Sequence, residues 1–266
     1  MSAGYTHFES DGWRDNSDQD DDVANIFAQY EISYKTSIQA EYRYRDSEFG
    51  DLRQKFFPGS VFPNQRFTSE NSTFRLGGKH SFTPGSILLA NFAYQDGNFR
   101  EKQEPFPQPG VLFVDFDQPD QSAGGGELSY LFRSQYINFV GGAGYFNVND
   151  KLEHLVIVGP PFIPGPPFAP PTLEVPGETD LDLKHGNAYG YFYANLIKGM
   201  TITLGASYDN ADSEFLDEKK RLFNPKFGLS WNLFSGTTLR GAVFRTLKRT
   251  LITQQTLEPT QVAGFN

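Results

Sequence analysis

The 266-residue chain is 38% hydrophobic and 15% aromatic, carries a net charge of −9 and contains no cysteine. The acidic balance excludes a general nucleic-acid surface, which needs clustered Lys and Arg. The missing thiols exclude a disulfide framework and thiolate metal or nucleophile chemistry. A chain with 26 Phe and 13 Tyr but so low an apolar fraction is poorly suited to a packed core in water, and it has no apolar run of about 18 residues to cross a membrane as a helix.

Taken in chain order, a first strand is predicted near Ala3–Phe8, followed by the acidic run DNSDQDDD (15–22). Asp18, Asp20 and Asp22 alternate there as in a calcium loop, but the sixth-position Gly and twelfth-position Glu of an EF-hand are missing, so the run reads as a solvated loop. Ile26, Ala28, Tyr30, Ile32 and Tyr34 then alternate with Gln29, Glu31 and Ser33. After a turn at Lys35-Thr36, Ile38, Ala40, Tyr42 and Tyr44 alternate with Gln39, Glu41, Arg43 and Arg45. A second hairpin sets Phe74, Leu76, His80 and Phe82 against Arg75, Lys79 and Ser81, turns at Pro84-Gly85 and returns through Leu88, Ala90, Phe92 and Tyr94. A third places Leu128, Tyr130 and Phe132 opposite Glu127, Ser129 and Arg133, with a turn near Ser134 and a return through Ile137, Phe139, Ala143 and Tyr145. A fourth runs from Asn187 through Lys198-Gly199 to Tyr208, and a fifth has Phe227, Leu229, Trp231 and Leu233 against Lys226, Ser230 and Asn232, turning at Ser235-Gly236. Period-two alternation bounded by Gly, Pro, Ser and Asn predicts antiparallel strands, and helical periodicity is absent.

Two media could face the two rows: core and water, or lipid and a wet lumen. The predicted strands run to roughly 10–13 residues, where a tilted membrane strand needs about 9–11 and a soluble strand about 5–6. Short turns fall at one end, and long loops (49–71, 99–122 and 149–184) at the other. Tyr34, Phe82, Phe132 and Phe234 gather beside the short turns; Tyr44, Tyr94, Tyr145 and Tyr208 gather toward the loops. Two aromatic belts with one-sided loops describe an all-β, antiparallel up-and-down transmembrane barrel in a bacterial outer membrane. The apolar row then faces lipid, and a one-residue slip would turn Arg43 toward hydrocarbon at about 2–4 kcal/mol. About 11 strands and the start of a twelfth are counted, an odd set for a single-chain barrel. No signal-peptide pattern opens the chain (MSAGYTHFESDGW), so a barrel here is expected to be a mature form or a fragment, and the strand count makes part of a larger barrel the expectation.

The segment FNPKFGLSWNLFSGTTLRGAVFRTLKR (223–249), followed by LEPTQVAGF (257–265), resembles the barrel of TonB-dependent receptors. The matching positions are Pro225, Gly228, Leu229, Leu239, Phe244, Arg245, Leu257 and Pro259. Similar barrels are fused behind tetratricopeptide repeats in large outer-membrane proteins. The resemblance implies transport or export across the outer membrane, a lipid surround, and a periplasmic energy-coupling or repeat domain outside this chain. It carries over no substrate-binding residue.

The inward set expected from alternation is Glu31, Glu41, Arg43, Arg45, Arg75, Lys79, Glu127, Arg133 and Lys226. Such a mixed-sign set either solvates the lumen and holds register or selects a solute. The four histidines (7, 80, 154 and 185) lack short ligand spacing, so no metal site or other cofactor is expected. Gly124-Gly125-Gly126 precedes a strand, which suits a close strand approach and not a phosphate loop. No catalytic constellation is found. The loops FFPGSVFP (56–63), PFPQPGVLFVDF (105–116) and HLVIVGPPFIPGPPFAPPTLEVP (154–176) combine Pro with apolar residues. They either cap the barrel mouth or dock an extracellular ligand or protein partner through Phe106, Phe113, Phe162 and Phe168. In that second case the protein is a surface binding or adhesion protein, with the barrel as anchor.

Overall fold

The computed structural model describes residues 1–52, 62–103, 111–158, 173–213 and 218–246, and every regular element in them is a β-strand. The strands are β1 (Ser2–Ser10), β2 (Gln19–Ser33), β3 (Thr36–Phe49), β4 (Arg66–Thr83), β5 (Ser86–Gln103), β6 (Val111–Arg133), β7 (Ile137–Asn149), β8 (Lys151–Val158), β9 (Leu173–Asp180), β10 (Leu183–Ile197), β11 (Met200–Ser213), β12 (Glu218–Phe234) and β13 (Thr237–Phe244). Eleven follow one antiparallel path, from β1 to β7 and then from β10 to β13, with each strand beside its predecessor. Among the described residues β1 and β13 have one neighbour each, so the sheet is open, as in part of a barrel.

Period-two alternation survives across every ladder. Ile26 faces Tyr42, Tyr42 faces Phe74 and Phe74 faces Tyr94 on one side of the sheet. On the other side Asn25 faces Arg43, Glu41 faces Arg75 and Asn91 faces Glu127. The burial pattern is inverted relative to a soluble protein. Among the described residues the buried hydrophobics are Val114, Tyr189, Tyr191 and Ala211, while the buried polar group is larger and includes Lys226, Asp209 and Asn224. Leu204, Phe227, Leu239 and Trp231 are exposed on the apolar side. Such a chain is stable only if that side meets something other than water.

Tight connections fall at one end, at residues 34–35, 84–85, 134–136, 198–199 and 235–236. Gly199 (φ 77°) and Gly236 (φ 82°) supply the left-handed backbone that two of them require. At the other end the strands differ from expectation. β4 and β5 have 18 residues each and β6 has 23, while β13 has 8, a wider spread than the 10–13 read from the apolar rows. β4 starts inside the stretch read as loop 49–71, and β5 and β6 take in much of 99–122. Backbone pairing continues past the apolar band because Thr, Ser and Asn rows keep the alternation without needing lipid.

The stretch 149–184 holds a further hairpin. β8 continues β7 after a break at Asp150 and pairs with the start of β6; β9 returns beside β8, and β10 beside β7. Leu181 N donates to Asp150 O (2.8 Å) across the break. Pro176 is tolerated because β9 pairs on one side only. Pro119 falls where the β5–β6 register skips from Gly97↔Gln121 to Phe99↔Gln118, a bulge that leaves its missing N–H unneeded.

Glycines sit where a directly opposed aromatic ring lies over the strand. A Cβ at Gly125 would meet Tyr145 O at 2.5 Å and the Phe146 ring at 2.7 Å; one at Gly142 would meet the Tyr189 hydroxyl at 2.8 Å; one at Gly205 would meet the Tyr191 ring at 2.7 Å. Within the Gly124–Gly126 run, Gly125 lies under the Phe146 ring of β7 and Gly124 beside the Tyr94 ring of β5.

Two expectations follow. Single cysteines at Lys35, Lys198 or Ser235 in the otherwise cysteine-free chain should resist membrane-impermeant thiol reagents in intact cells, whereas cysteines at Asp15 or Glu174 should react; equal labelling of both sets would refute this orientation. Gly125→Val should lower the stability of the folded barrel by about 1–3 kcal/mol, read by the temperature of its electrophoretic mobility shift. Gly241→Val, with open space at its Cβ, should leave it unchanged.

Candidate functional site: the polar face of the sheet

The polar face divides into two halves with different character. Along β2–β5 it is open and charged. Arg45 grips Asp21 through Nε (2.7 Å) and Nη2 (3.1 Å), and Arg75 reaches Glu41 at 3.4 Å. Arg43 faces Asn25 and Thr73, and Glu31 faces Ser37. Lys79 projects beside Ser37 and Leu89 into a hollow of about 350 Å³.

Along β10–β12 the same face is buried, and along β7 it is half-buried. Glu127 accepts a hydrogen bond from the Tyr189 hydroxyl, and Lys226 donates to the Tyr191 hydroxyl at 2.6 Å. Toward the long-loop end, Asp209 is held by His185 Nε2 (3.0 Å), Asn224 Nδ2 (2.6 Å) and Ser207 Oγ (3.3 Å). His185 Nδ1, Asn187 Nδ2 and Asn224 Oδ1 are buried there without a hydrogen-bond partner. Alternation had singled out Glu127 and Lys226 but not His185, Asp209 or Asn224. They lie far apart in sequence, and only the β10–β11–β12 register brings them together; their shared parity with Lys226 was the one available signal.

The inward set thus does not converge on a single centre. Glu31, Glu41, Arg43, Arg45, Arg75 and Lys79 share the open half, and Glu127 and Lys226 belong to the buried half. Arg133 ends β6 beside the short turns, its N–H donating to Gly85 O at 2.7 Å. The histidine spacing also looks different in three dimensions. Pairing of β1 with β2 sets His7 opposite Asp22, and ligand atoms of His7, Asp20 and Asp22 lie within 4.8 Å of one another on the apolar side, beyond the Tyr belt.

At the long-loop end, buried polar contacts join the loops. Arg14 pairs with the fully buried Asp51 at 3.0 Å and also donates to its carbonyl (2.9 Å). Asn16, in the left-handed region (φ 56°), donates through Nδ2 to Phe62 O (2.6 Å) and Gln65 O (3.0 Å). Gln65 in turn reaches Glu101 (2.6 Å), and Asp18 meets Arg66 at 2.5 Å. Trp13 stands 66% exposed on this base, with the Arg14 guanidinium 4.7 Å from its ring centroid. Of the apolar loop residues, Phe113 lies in β6 opposite Ile157, not at a loop tip, and Lys102 Nζ stands 5.5 Å from its ring centroid. Its β-branched and aromatic neighbours favour strand pairing. Phe106, Phe162 and Phe168 lie outside the described residues.

The hydrogen bond from Arg66 holds the Asp18 carboxyl below its ordinary value. A depressed carboxyl stabilises the folded loop fully above its unfolded value, and the contribution is lost as pH falls through the folded value. Acidification should therefore open the loop junction to protease, and Arg66→Gln should move the onset to higher pH. Arg14→Met strands the Asp51 carboxylate and should weaken the junction by up to about 3–5 kcal/mol, seen as cleavage within 11–18 with the strands intact. Unaltered cleavage in both variants would show that these pairs do not hold the loops.

The family description "TonB dependent receptor-like, beta-barrel" matches residues 3–264. A search of curated protein sequences finds no match. Among solved structures, the copper transporter OprC is similar over 91% of this chain and 40% of its own (TM-score 0.68, 13% identity). The FpvAI–pyocin S2 complex is similar over 90% and 38% (0.69, 11%), and the ferric yersiniabactin uptake receptor FyuA from Yersinia pestis over 86% and 39% (0.63, 14%). At such identities the likeness shows the fold, and this chain spans about two fifths of the length of those proteins. With nearly its whole length matched, the chain belongs to the TonB-dependent receptor-like β-barrel family of the bacterial outer membrane.

Proposed function

We propose that this chain forms part of the wall of an outer-membrane barrel that takes up a metal or metal chelate, with the β2–β5 half of the polar face lining the path. The observation that carries the reading is the open, charged side of β2–β5, with Arg45 on Asp21 and Arg75 on Glu41, behind an apolar row that is exposed on the opposite side. A polar, water-compatible interior of this kind has use as a conduit. The similarity to a copper transporter and a ferric yersiniabactin uptake receptor supports the solute class. Energy would come from a periplasmic coupling partner outside this chain.

The second reading, a surface receptor for a protein partner, is favoured by Trp13, held exposed on the clamped loops, and by the neighbour that binds pyocin S2. One experiment separates the two. Deleting the whole gene in metal-limited cells should sharply reduce uptake of one radiolabelled metal, and complementation with Arg45→Leu plus Arg75→Leu should fail to restore it while Trp13→Ala restores it. Unchanged uptake of iron, copper and zinc after deletion would contradict the transport reading.

A further inference from the structure

A register row crosses the open half of the polar face as Gln29↔Gln39↔Gly77↔Asn91. The next row toward the short turns contains Ser37↔Lys79↔Leu89↔Ser129. Gly77 is the floor of the hollow between these rows. A Cβ there would come within 2.8 Å of Gln39 Cγ and Nε2, so the Gln39 amide lies across the glycine. The resulting hollow, about 350 Å³, is lined on the polar side by Gln29, Gln39, Asn91, Ser37, Ser129 and Lys79. That size lies within the range that accommodates small ligands.

Its chemistry is one-sided. Three amides and two hydroxyls supply neutral donors, and Lys79 supplies the one charge, an ammonium with three N–H groups. No carboxylate lines the hollow. The acidic neighbours are turned elsewhere: Glu127, across from Asn91, takes the Tyr189 hydroxyl, and Glu41 takes Arg75. Glu31 shares the Lys79 row but stands on the far side of Ser37. No described residue forms an ion pair with Lys79.

We propose that this hollow is a binding site for an oxygen-rich anionic group, a carboxylate or a phosphate, with Lys79 as the charge and Gln39, Asn91, Ser37 and Ser129 as neutral donors. Charge-assisted bonds from an ammonium are the strong ones available, and the missing side chain at Gly77 lets the Gln39 amide lie flat along the wall of the hollow. The proposal rests on the reading of this face as the lumen wall and adds the class of group that pauses there.

The test is made on the purified full-length protein in detergent. Lys79 is acylated with an amine-reactive ester and followed by mass spectrometry in malonate, phosphate or chloride at matched ionic strength. Malonate or phosphate should protect Lys79 in a saturable way while Lys35 and Lys198, at the short turns, react as before; the better protector tells carboxylate from phosphate. Gly77→Val, which displaces the Gln39 amide, and Asn91→Leu, a second variant in case the first fails to fold, should each raise the protecting concentration about tenfold, a loss of about 1.4 kcal/mol. Protection by chloride to the same degree, no protection by either anion, or unchanged midpoints in folded variants would overturn the site. Because binding is read without transport, loss of uptake and loss of this site remain separate results.

Discussion

Backbone pairing in hydrocarbon is the constraint on which the rest of this protein depends. A lipid-exposed N–H or C=O without a partner costs several kcal/mol, so each wall strand must be paired on both sides through the bilayer. Once pairing is obligatory, the period of two divides the chain into two faces, and any slip of one residue exchanges them. Ile38 to Tyr44 and Gln39 to Arg45 on β3 illustrate both sides of this: the apolar row needs lipid, and the charged row forbids it. Register is therefore enforced twice, and the ladders run straight through the band, with irregularities confined to strand ends and to the β6 bulge.

Within that frame the polar face is not uniform. On β7 and β10–β12, rings laid over glycines leave room for Tyr189 and Tyr191, whose hydroxyls tie Glu127 and Lys226 into place. Buried charges held this way are costly to disturb, because removing one partner strands the other. On β2–β5 the charged groups are more open, and the pairs there are screened and individually weak.

Much of the architecture was legible from the chain because alternation is local. The short turns at 84–85, 198–199 and 235–236, the two aromatic belts and the identity of each face follow from residues a few positions apart. What was not legible depends on registers between distant strands. His185 meets Asp209 only after β10 and β11 align, Arg14 meets Asp51 only after the β1–β2 connection approaches the chain that follows β3, and His7 meets Asp22 across the β1–β2 loop. The β8–β9 hairpin was not legible because its prolines and apolar residues match a loop composition and Leu155 to Val158 form an unbroken apolar run with no period-two alternation. Phe113 sits in the same paired stretch, opposite Ile157.

The central claim is that alternate residues of one strand face lipid and water. The most direct measurement is a nitroxide scan of positions 38–45 in β3 and 202–208 in β11, in the full-length protein in bilayers, reading collision with oxygen and with a water-soluble nickel chelate. The account predicts oxygen maxima at 38, 40, 42 and 44 and at 202, 204, 206 and 208, with nickel access out of phase on β3 and low throughout the buried inner positions of β11. Equal access of both reagents to both rows, or a phase shifted by one residue, would contradict it.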